Sequence, residues 1–436
     1  MARTEECILY RNFDNGEVLD IMTSLMNSYE AGEDGFENRK EEFFHMAGSL
    51  VEMAGMYGFS GNLWHTYLTQ LLVNHENAFS TASEIRGAVE GSINHLALHD
   101  FGIFKELYDF DLSVFDRAFR TDCAGFLCNY VNTGCNSKVY NQRICDRICD
   151  MSKTLAEAST VEEFMADMVQ FYKDFGVGKL GLNKAFRIEH GKDGKPVIAP
   201  ITRIAHVNLD DLVGYEIPKQ KLIENTEAFV RGRKANNCLL FGDAGTGKSS
   251  SIKGILNRYY DEGLRIIEVY KHQFQDLNDV IAQIKNRNYK FILYMDDLSF
   301  EEFEIEYKYL KAVIEGGLEK KPDNILIYAT SNRRHLVREK SGDKLEVADD
   351  EDLHSSDTVQ EKLSLVYRFG VRIYFGAPNK KEFQNIVTTL AERYGVTMPA
   401  EELLMKANAW ELSHGGLTGR TAQQFIDHVL GTSEEQ

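Results

Sequence analysis

The stretch that decides the fold is Phe241-Gly242-Asp243-Ala244-Gly245-Thr246-Gly247-Lys248-Ser249-Ser250. It follows the apolar run 238–241 and precedes a segment with apolar residues on one helical face, Ile252, Ile255, Leu256 and Tyr259. The pattern G-x-x-x-x-G-K-S thus lies between a predicted strand and a predicted helix, the context of a phosphate-binding loop. Its glycines let backbone N–H groups converge on phosphate oxygens, and the helix start adds its positive dipole end.

Two side chains of this loop carry the predicted chemistry. Lys248 is expected to neutralise the β- and γ-phosphates of a nucleoside triphosphate, and the Ser249 hydroxyl is expected to ligate Mg²⁺. A chance Gly-rich turn before a helix is the competing interpretation, which the Lys, the Ser and the flanking elements together disfavour. The residues predicted to bind the nucleotide here are Gly242, Asp243, Ala244, Gly245, Thr246, Gly247, Lys248, Ser249 and Ser250.

The composition bounds the class of protein. The chain has 436 residues, 43% of them apolar, so it can bury sizeable cores, and its length suggests two or three domains. A net charge of −18 argues against a general polyanion-binding surface, so a nucleic-acid partner is not indicated, although a local basic groove is compatible with it. Because no bilayer-spanning run or signal-peptide core is present, we expect a cytoplasmic protein without a membrane partner.

The first part of the chain is predicted to be helical. All six prolines lie beyond residue 195, so this part lacks the strongest helix breaker. Apolar residues recur at helical spacing in the segments 18–26, 43–51, 64–72 and 161–175. Residues 1–184 are therefore predicted to form an α-helical domain. It carries no motif that translates into chemistry, and we expect it to dock a protein client.

A group of cysteines in this part raises the question of a metal site. Its members are Cys123, Cys128, Cys135, Cys145 and Cys149. The last two are spaced i, i+4 on one helical face, but the paired C-x-x-C spacing of strong zinc and iron–sulfur sites is absent. Simple burial of reduced thiols is the favoured interpretation, and a metal site remains the alternative.

The rest of the chain divides into three segments. Residues 185–204 are predicted to form a hairpin linker, since β-forming residues flank the turn 191–194. Apolar runs then alternate with helical segments, at 265–270, 291–295, 325–330 and 371–375. This alternation predicts a parallel sheet covered on both faces. Residues 205–378 are assigned to an α/β nucleotide-binding domain, and residues 379–436 to a small helical lid.

One of these strands ends in two carboxylates. The apolar run 291–295 leads into Asp296 and Asp297, and in a parallel sheet the carboxyl end of a strand faces the ligand crevice. Asp296 is expected to hold Mg²⁺ through water, and Asp297 to orient or deprotonate the attacking water. A strand followed by an acidic turn is the plainer interpretation, which the upstream phosphate-binding loop makes less favourable.

Three more polar residues follow in an ordered series. Asn332 comes after the next apolar strand, Arg368 precedes the last one, and Arg420 stands at the start of a helix in the lid. Any single Arg is more often a solvated surface charge. A functional role for these residues is supported by their order along the chain. The phosphate-binding loop is followed by an acidic strand end, a polar strand end and two arginines.

This order resembles that of the AAA+ ATPases, and residues from about 200 to 430 are similar to the AAA+ family filed as domain of unknown function 815. The stretches that carry the resemblance are Gly242–Ser250, Asp296–Glu301, Tyr328–Leu336, Arg368–Gly370 and Gly419–Ala422. The helical first half is only loosely similar. The resemblance implies an α/β P-loop AAA+ module with a five-stranded parallel sheet in the order 5-1-4-3-2 and a small helical lid.

The resemblance also implies roles for individual residues. By position, Lys248 and Ser249 match Walker A, Asp296 and Asp297 match Walker B, Asn332 matches sensor 1, and Arg420 matches sensor 2. Arg368 matches the arginine finger that reaches the ATP of a neighbouring subunit, which implies a homo-oligomer. The implied ligands are ATP and Mg²⁺, and Val213 and Gly214 match the segment that contacts adenine.

The residue at the position of the base departs from most AAA+ proteins. Asp297 stands where Glu is usual, so the carboxylate is one methylene shorter. Replication-initiator and helicase-loader ATPases also carry paired Asp here, so the resemblance still implies hydrolysis, at a slow rate. Glu301 and Glu302 are nearby but off the strand, and they are weak substitutes.

Three functions fit these features. The leading one is a Mg²⁺-dependent ATPase that couples its nucleotide state to remodelling or loading of a protein client. The alternative is a slowly hydrolysing, ATP-gated switch or scaffold of the helicase-loader type. A P-loop kinase that phosphorylates a small molecule is the third, and the ordered sensor pattern fits it less well.

Overall fold

The computed structural model describes residues 4–132, 137, 139–202, 204–205, 207–300, 306–315, 322–332 and 365–433. The chain divides into two compact units, an N-terminal unit, Met1–Asn183, and a C-terminal unit, Lys184–Gln436. Among the residues with a described position, none of the helices is both long and apolar enough to cross a membrane.

The N-terminal unit is built from α-helices. In chain order they are α1 (Glu17–Glu30), α2 (Lys40–Tyr57), α3 (Leu63–Asn74), α4 (Ala78–Arg86), α5 (Ser92–Asp109), α6 (Ser113–Phe119), α7 (Cys123–Cys128), α8 (Gln142–Glu157), α9 (Val161–Phe175) and α10 (Gly178–Leu182). The side chains of Asn62, Asn77, Asn141 and Thr160 cap four of the helix starts by accepting backbone N–H groups.

Aromatic side chains fill the core between these helices. Trp64, Phe101, Phe104 and Phe164 are fully buried, and the Trp64 indole N–H donates to the carbonyl of Leu107 over 2.9 Å. This pairing removes the penalty of burying a polar indole group in an apolar core.

A buried carboxylate fixes the start of the chain to this core. Asp100 on α5 is inaccessible to solvent, and its two oxygens accept the backbone N–H groups of Ile8, Leu9 and Tyr10 at 2.6–3.1 Å. The Tyr10 hydroxyl also lies 3.0 Å from that of Tyr172 on α9. The irregular N-terminal segment is thereby held by hydrogen bonds that replace those of a helix or strand.

The cysteines of the N-terminal unit do not form a cluster of potential metal ligands in the part that the structure describes. No group of three or more His, Cys, Asp or Glu side chains comes together there, and Cys135 lies outside the described residues. The Cys145 thiol donates to the carbonyl of Tyr57 at 2.7 Å. Burial raises the pKa of Cys128 and Cys149, so both favour the thiol over the metal-binding thiolate.

The C-terminal unit is organised around one sheet, which has seven strands among the described residues rather than the five predicted. The strands are β1 (Ala185–His190), β2 (Pro196–Pro200), β3 (Cys238–Gly242), β4 (Leu264–Glu268), β5 (Lys290–Met295), β6 (Ile325–Ser331) and β7 (Val371–Phe375). Their order in the sheet is β2-β1-β4-β5-β6-β3-β7, which differs from the predicted order of five strands.

The two additional strands come from residues 185–204, the segment that was predicted to be a hairpin linker. β1 pairs antiparallel with β2 and also parallel with β4, so the hairpin extends the sheet instead of only connecting two domains. This pairing satisfies backbone groups that β4 would otherwise leave exposed at a sheet edge. Phe186 and Ile188 are buried on β1, whereas Arg187 between them is exposed. The other five strands lie in the order β7-β3-β6-β5-β4.

Helices accompany the sheet, and three of them form the lid. The helices are α11 (Glu216–Val230), α12 (Lys248–Tyr259), α13 (Leu277–Ile284), α14 (Glu306–Glu315), α15 (Lys380–Arg393), α16 (Ala400–Ser413) and α17 (Gly419–Ser433). α15, α16 and α17 pack around their own core, which includes Phe383, Val387, Ala422 and Ile426. β3, β5 and β6 run parallel, so the polar residues that follow them meet at one edge of the sheet.

Candidate nucleotide-binding site

The phosphate-binding loop connects β3 to α12, and two glycines give it its shape. Gly242 has a φ of +134°, and a Cβ at this position would collide with the carbonyl of Phe375 on β7. Gly247 has a φ of +88° and immediately precedes α12. Only glycine adopts these backbone angles without strain, so the loop can close tightly and start the helix at Lys248.

The ammonium group of Lys248 is held inside this loop. Its Nζ donates to the carbonyls of Gly242 at 3.0 Å and of Asp243 at 2.6 Å. Burial lowers the pKa of Lys248, and the carboxylates of Asp243, Asp297 and Asp296 oppose this effect. The loop thus places one positive charge beside the aspartates at the strand ends.

Three hydroxyl groups converge on one oxygen of Asp296. Oδ1 accepts hydrogen bonds from Ser249 at 2.8 Å, from Tyr294 at 2.7 Å and from Thr330 at 2.6 Å. Burial raises the pKa of Asp296, but these hydrogen bonds and one from the backbone N–H of Asp297 outweigh it, so the net shift is downward. The carboxylate is therefore kept ionised beside the hydroxyl of the phosphate-binding loop.

The second carboxylate is fixed by the neighbouring strand. Asp297 has a φ of +50°, a conformation that non-glycine residues rarely adopt. Its backbone N–H donates to Thr330 Oγ1 at 2.9 Å, and the next N–H, of Leu298, donates to the Thr330 carbonyl at 2.7 Å. Asn332 Nδ2 donates to Asp297 Oδ1 at 2.8 Å. The strain at Asp297 is thus offset by contacts that aim its side chain at the cavity.

These residues border one cavity of about 640 Å³. The predicted site residues that line it are Val213, Ala244, Gly245, Thr246, Gly247, Lys248, Ser249, Ser250, Asp296, Asp297, Asn332 and Arg420. The predicted residues Gly214, Gly242, Asp243 and Arg368 are not in its wall. One edge of the sheet thus brings together the phosphate-binding loop, the two aspartates after β5, Asn332 after β6 and the lid.

The far end of the cavity is formed by the segment before α11 and by the lid. Leu212, Val213 and Tyr215 line it from one side, and Ile386 and Leu390 of α15 from the other. Asp211 of the same segment also lines the cavity, and the rest of this end is mainly apolar, in contrast to the charged end at the phosphate-binding loop. A pocket with one charged and one apolar end matches a phosphorylated ligand that carries an aromatic base.

Tyr215 brings a polar group to this apolar end. Its hydroxyl is buried and has no hydrogen-bond partner among the residues that the structure describes. Burial raises the pKa of Tyr215 to about 12, with further increases from Glu382 and Asp243, so the group is a neutral hydroxyl. Tyr215 thus lines the cavity, but its hydroxyl is inaccessible to solvent.

Arg393 attaches the lid to the same segment. Its two terminal nitrogens donate to the carbonyls of Asp210 and Asp211, each at 2.7 Å. The following carbonyl, of Leu212, accepts from Lys219 Nζ at 2.7 Å. Three consecutive carbonyls are therefore held by cationic side chains, which fixes the backbone at the apolar end of the cavity.

The last lid helix contacts the phosphate-binding loop directly. The backbone N–H of Arg420 donates to the carbonyl of Gly245 over 3.2 Å, and the Arg420 side chain lines the cavity. A change in the position of α17 would therefore shift the phosphate-binding loop or break its hydrogen bond to Arg420.

Arg368 occupies a different place. Its guanidinium forms an ion pair with Glu315, the last residue of α14, and it does not line the cavity of its own chain. Glu301 and Glu302 lie outside the described residues, as do Arg333 and Arg334.

The site residues predicted from the sequence did not include Tyr294, Thr330, Tyr215 or Arg393. A signal for Tyr294 was available, since residues two apart on a strand share a face and Tyr294 precedes Asp296 by two. Thr330 lies beside Asp296 only because β5 and β6 pair in register, with Met295 opposite Ala329. Tyr215 and Arg393 offered no comparable local signal.

The residues present fit a magnesium nucleotide. The Ser249 hydroxyl and the Asp296 carboxylate, 2.8 Å apart, supply the oxygen ligands that Mg²⁺ prefers. Lys248, the N-terminal turn of α12 and Arg420 supply positive charge for phosphates. At the opposite end, apolar contacts come from Leu212, Val213, Ile386 and Leu390.

Comparison with solved structures gives distant similarities. A Thermotoga maritima RuvB mutant has 18% sequence identity and a TM-score of 0.38, and the match covers 53% of this chain and 66% of that chain, slightly less than two thirds. The FIGL-1 AAA domain in complex with ADP has 16% identity and a TM-score of 0.37, with 53% of this chain and 76% of that chain covered. Comparison with curated proteins finds no match.

A protein-family model gives the assignment. The model described as "Protein of unknown function (DUF815)" matches residues 182–433, which include every strand from β3 onward, the phosphate-binding loop and the lid. The matched range is more than half of the 436-residue chain. The resemblance drawn from the sequence is thereby confirmed, and the chain belongs to the DUF815 family.

Proposed function

We propose that this chain is an AAA+ ATPase that binds ATP with Mg²⁺ and hydrolyses it. The observation that carries the proposal is the convergence of Lys248, the Ser249–Asp296 pair and the Asn332–Asp297 pair on one cavity. Each of these groups matches a part that phosphoryl transfer needs: a cation for the phosphates, oxygen ligands for the metal, and a carboxylate for the attacking water.

In this proposal the chain's own residues perform three tasks. Lys248 and the loop N–H groups bind the β- and γ-phosphates, and Asn332 holds the Asp297 carboxylate in place. Asp297 orients the water and accepts its proton as the water oxygen bonds to the γ-phosphorus. The bond from that phosphorus to the β–γ bridging oxygen breaks, and ADP leaves with the electron pair. Ser249 and Asp296 would hold Mg²⁺, which would neutralise charge on the phosphates when bound.

Arg368 is proposed to act on a neighbouring subunit. It lies outside the cavity of its own chain, and its partly exposed side chain forms an ion pair with Glu315 at the end of α14. A finger that acts in trans makes hydrolysis depend on assembly into a homo-oligomer. Arg420, which lines the cavity from the lid, is proposed to sense the γ-phosphate and to move α17 on hydrolysis.

The N-terminal unit is proposed to hold a protein client that ATP hydrolysis remodels or loads. Residues 1–183 contain 28 Asp and Glu but only 14 Lys and Arg, so most of the net negative charge of the chain lies here. Such a surface favours a basic protein partner over nucleic acid.

An ATP-gated switch with very slow turnover is the second candidate. It is favoured by the side chain of Asp297, which is one methylene shorter than the Glu usual at this position. The two functions differ in whether hydrolysis is sustained or occurs once per binding event.

The test is steady-state ATP hydrolysis measured across a range of protein concentrations. Wild type is compared with Lys248→Ala and Asp297→Asn, and ATP binding is measured in parallel by calorimetry. Turnover per subunit that rises with concentration and is lost in both variants supports the assembling ATPase. Tight ATP binding with negligible turnover at every concentration supports the switch. Absence of ATP binding by the wild type refutes both.

A further inference from the structure

A tyrosine is buried on the strand that leads into the two aspartates. Tyr294 on β5 is only 5% exposed, and its hydroxyl donates to Asp296 Oδ1 at 2.7 Å. Asp296 directly follows the strand and stands two positions after Tyr294, so the two side chains project to the same side and meet. A buried phenol needs a partner, and this one is provided by the carboxylate predicted to hold the metal.

Thr330 completes the arrangement from the neighbouring strand. Its hydroxyl donates to the same Oδ1 at 2.6 Å while it accepts the backbone N–H of Asp297 at 2.9 Å. With both of these bonds made, the hydroxyl has a single orientation. Tyr294 and Thr330 are both buried and both stand on strands of the sheet, so their positions are set by the sheet and not by α12 or the lid.

The number of donors has a consequence for the carboxylate. An ionised carboxylate oxygen has about two lone-pair sites, and Oδ1 of Asp296 receives three hydroxyl donors. Tyr294 and Thr330 alone satisfy this oxygen, independently of Ser249. The side chain of Asp296 is therefore fixed before any ligand arrives. The free energy of metal binding is then not reduced by the cost of orienting this carboxylate.

We propose that Tyr294 is a positioning residue for magnesium: together with Thr330 it holds the Asp296 carboxylate in the orientation that binds Mg²⁺ with the nucleotide. This inference rests on the proposed function, since it assumes that Asp296 serves a bound magnesium nucleotide. A core tyrosine with only a packing role is the alternative, and a phenylalanine would pack in the same volume.

The experiment measures how much Mg²⁺ strengthens the binding of ADP. The dissociation constant of ADP is determined by calorimetry in EDTA and again with excess MgCl₂, and the ratio of the two values reports the contribution of the metal. In Tyr294→Phe we expect the value in EDTA to match that of wild type and the ratio to fall about 10-fold, as in other proteins that lose a partner of a metal ligand. Thr330→Val is expected to behave likewise, and Thr330→Ser, which retains the hydroxyl, to keep most of the ratio.

Tyr328→Phe provides the matched control. Tyr328 is a buried tyrosine of the same sheet, but its hydroxyl bonds to Asn225 and Thr226 of α11 and not to the site. Its loss is expected to leave the ratio unchanged.

The outcomes separate this proposal from the proposed function. An unchanged ratio in Tyr294→Phe, or an equal loss of ADP affinity in EDTA and in MgCl₂, overturns the role of Tyr294 while nucleotide binding stands. Absence of ADP binding by the wild type in both media refutes the nucleotide site, and the role of Tyr294 with it. A lower ratio in Tyr294→Phe, beside an unchanged one in Tyr328→Phe, supports the assignment.

Discussion

The side-chain amide of Asn332 donates a hydrogen bond of 2.8 Å to Asp297 Oδ1, across the ends of two adjacent parallel strands. Asp297 is held at a φ of +50° at the same point, with its backbone N–H bonded to Thr330. The carboxylate is thus oriented by contacts from β6 and not by its own strand. The position of the Asp297 carboxylate therefore depends on the register of β5 against β6. Substitutions can change the charge of this carboxylate without changing the strands that position it.

Replacement of Asp297 by Asn should separate binding from hydrolysis. Asn keeps the size of the side chain but cannot accept the proton of the attacking water. We expect ATP affinity to stay near that of wild type and the turnover rate to fall about 10²- to 10⁴-fold. Calorimetry with ATP and a phosphate-release assay measure the two quantities. Asp193→Asn, in the exposed turn between β1 and β2, serves as the control of equal charge change. Retention of full turnover in Asp297→Asn would exclude Asp297 as the base.

Replacement of Arg368 by Ala should reduce turnover without affecting nucleotide affinity. Arg368 does not line the cavity of its own chain, so the binding of ATP should be unchanged. Arginine fingers contribute about 10³- to 10⁵-fold to turnover, and a loss within that range is expected. Glu315→Gln removes the ion pair and keeps the guanidinium, so it should retain turnover.

Mixing of two inactive variants tests whether Arg368 acts in trans. Lys248→Ala subunits should fail to bind ATP but still carry the finger, whereas Arg368→Ala subunits should bind ATP without one. If the finger reaches a neighbour, mixtures of the two should regain part of the wild-type activity, with a maximum at an intermediate ratio. No recovery at any ratio, in mixtures shown to co-assemble, would argue that Arg368 has no role in the neighbouring site.

Replacement of Arg393 by Ala should weaken the binding of ATP at the base end. The side chain holds the carbonyls of Asp210 and Asp211, and the segment that follows lines the apolar end of the cavity. Loss of one or two hydrogen bonds corresponds to about a 3- to 10-fold increase in the dissociation constant for ATP. Binding of inorganic tripolyphosphate should not change, because it reaches only the phosphate end. Lys406→Ala, which removes an exposed cation of α16, is the control. Equal losses for both ligands would point to a general effect on folding.

The parts of the site that could be predicted from the sequence are those set by local patterns. The strand, loop and helix around Lys248 follow from consecutive residues, and so does the position of Asp296 at the end of a buried strand. Their order along the chain was enough to suggest the family, which the match to residues 182–433 confirms.

The parts that could not be predicted depend on pairing between distant segments. The hairpin 185–200 was visible in the sequence, but its pairing with β4 is a long-range contact, and the expected five-stranded sheet was therefore wrong. Thr330 reaches Asp296 through the register of two strands, and Arg393 reaches Asp210 across 183 positions of the chain. Neither contact leaves a periodicity or a motif in the sequence.

The stability of the N-terminal unit should depend on pH through His65. Burial lowers the pKa of His65, while a hydrogen bond to the Tyr108 carbonyl at 2.9 Å and the charge of Asp109 oppose this, and Lys105 adds to the decrease. A His with a lowered pKa binds fewer protons when folded than when unfolded, so its contribution to stability is lost as the pH falls below about 6.5. We expect the unfolding temperature of wild type to decrease between pH 6.5 and 5.5 more steeply than that of His65→Gln, whose amide still donates to the carbonyl. Parallel curves for the two proteins would contradict the assignment.

Replacement of Asp100 should release the start of the chain. Its buried carboxylate accepts the N–H groups of Ile8, Leu9 and Tyr10. Asp100→Ala removes the acceptor of these donors, of which the N–H of Tyr10 is buried and those of Ile8 and Leu9 are partly exposed. With about 1–3 kcal/mol for the buried group and smaller losses for the other two, the local stability should fall by about 2–4 kcal/mol.

Hydrogen exchange followed by mass spectrometry measures this effect in the full chain. A loss of about 2–4 kcal/mol corresponds to roughly 30- to 1,000-fold faster exchange of the amides of residues 8–10, while peptides that cover β3 and α12 should exchange as in wild type. Asp100→Asn retains one acceptor oxygen and should fall between wild type and Asp100→Ala. If residues 8–10 exchange at the wild-type rate in Asp100→Ala, water replaces the carboxylate as acceptor and the N-terminal segment is held by its apolar contacts, of which the fully buried Tyr10 is the largest.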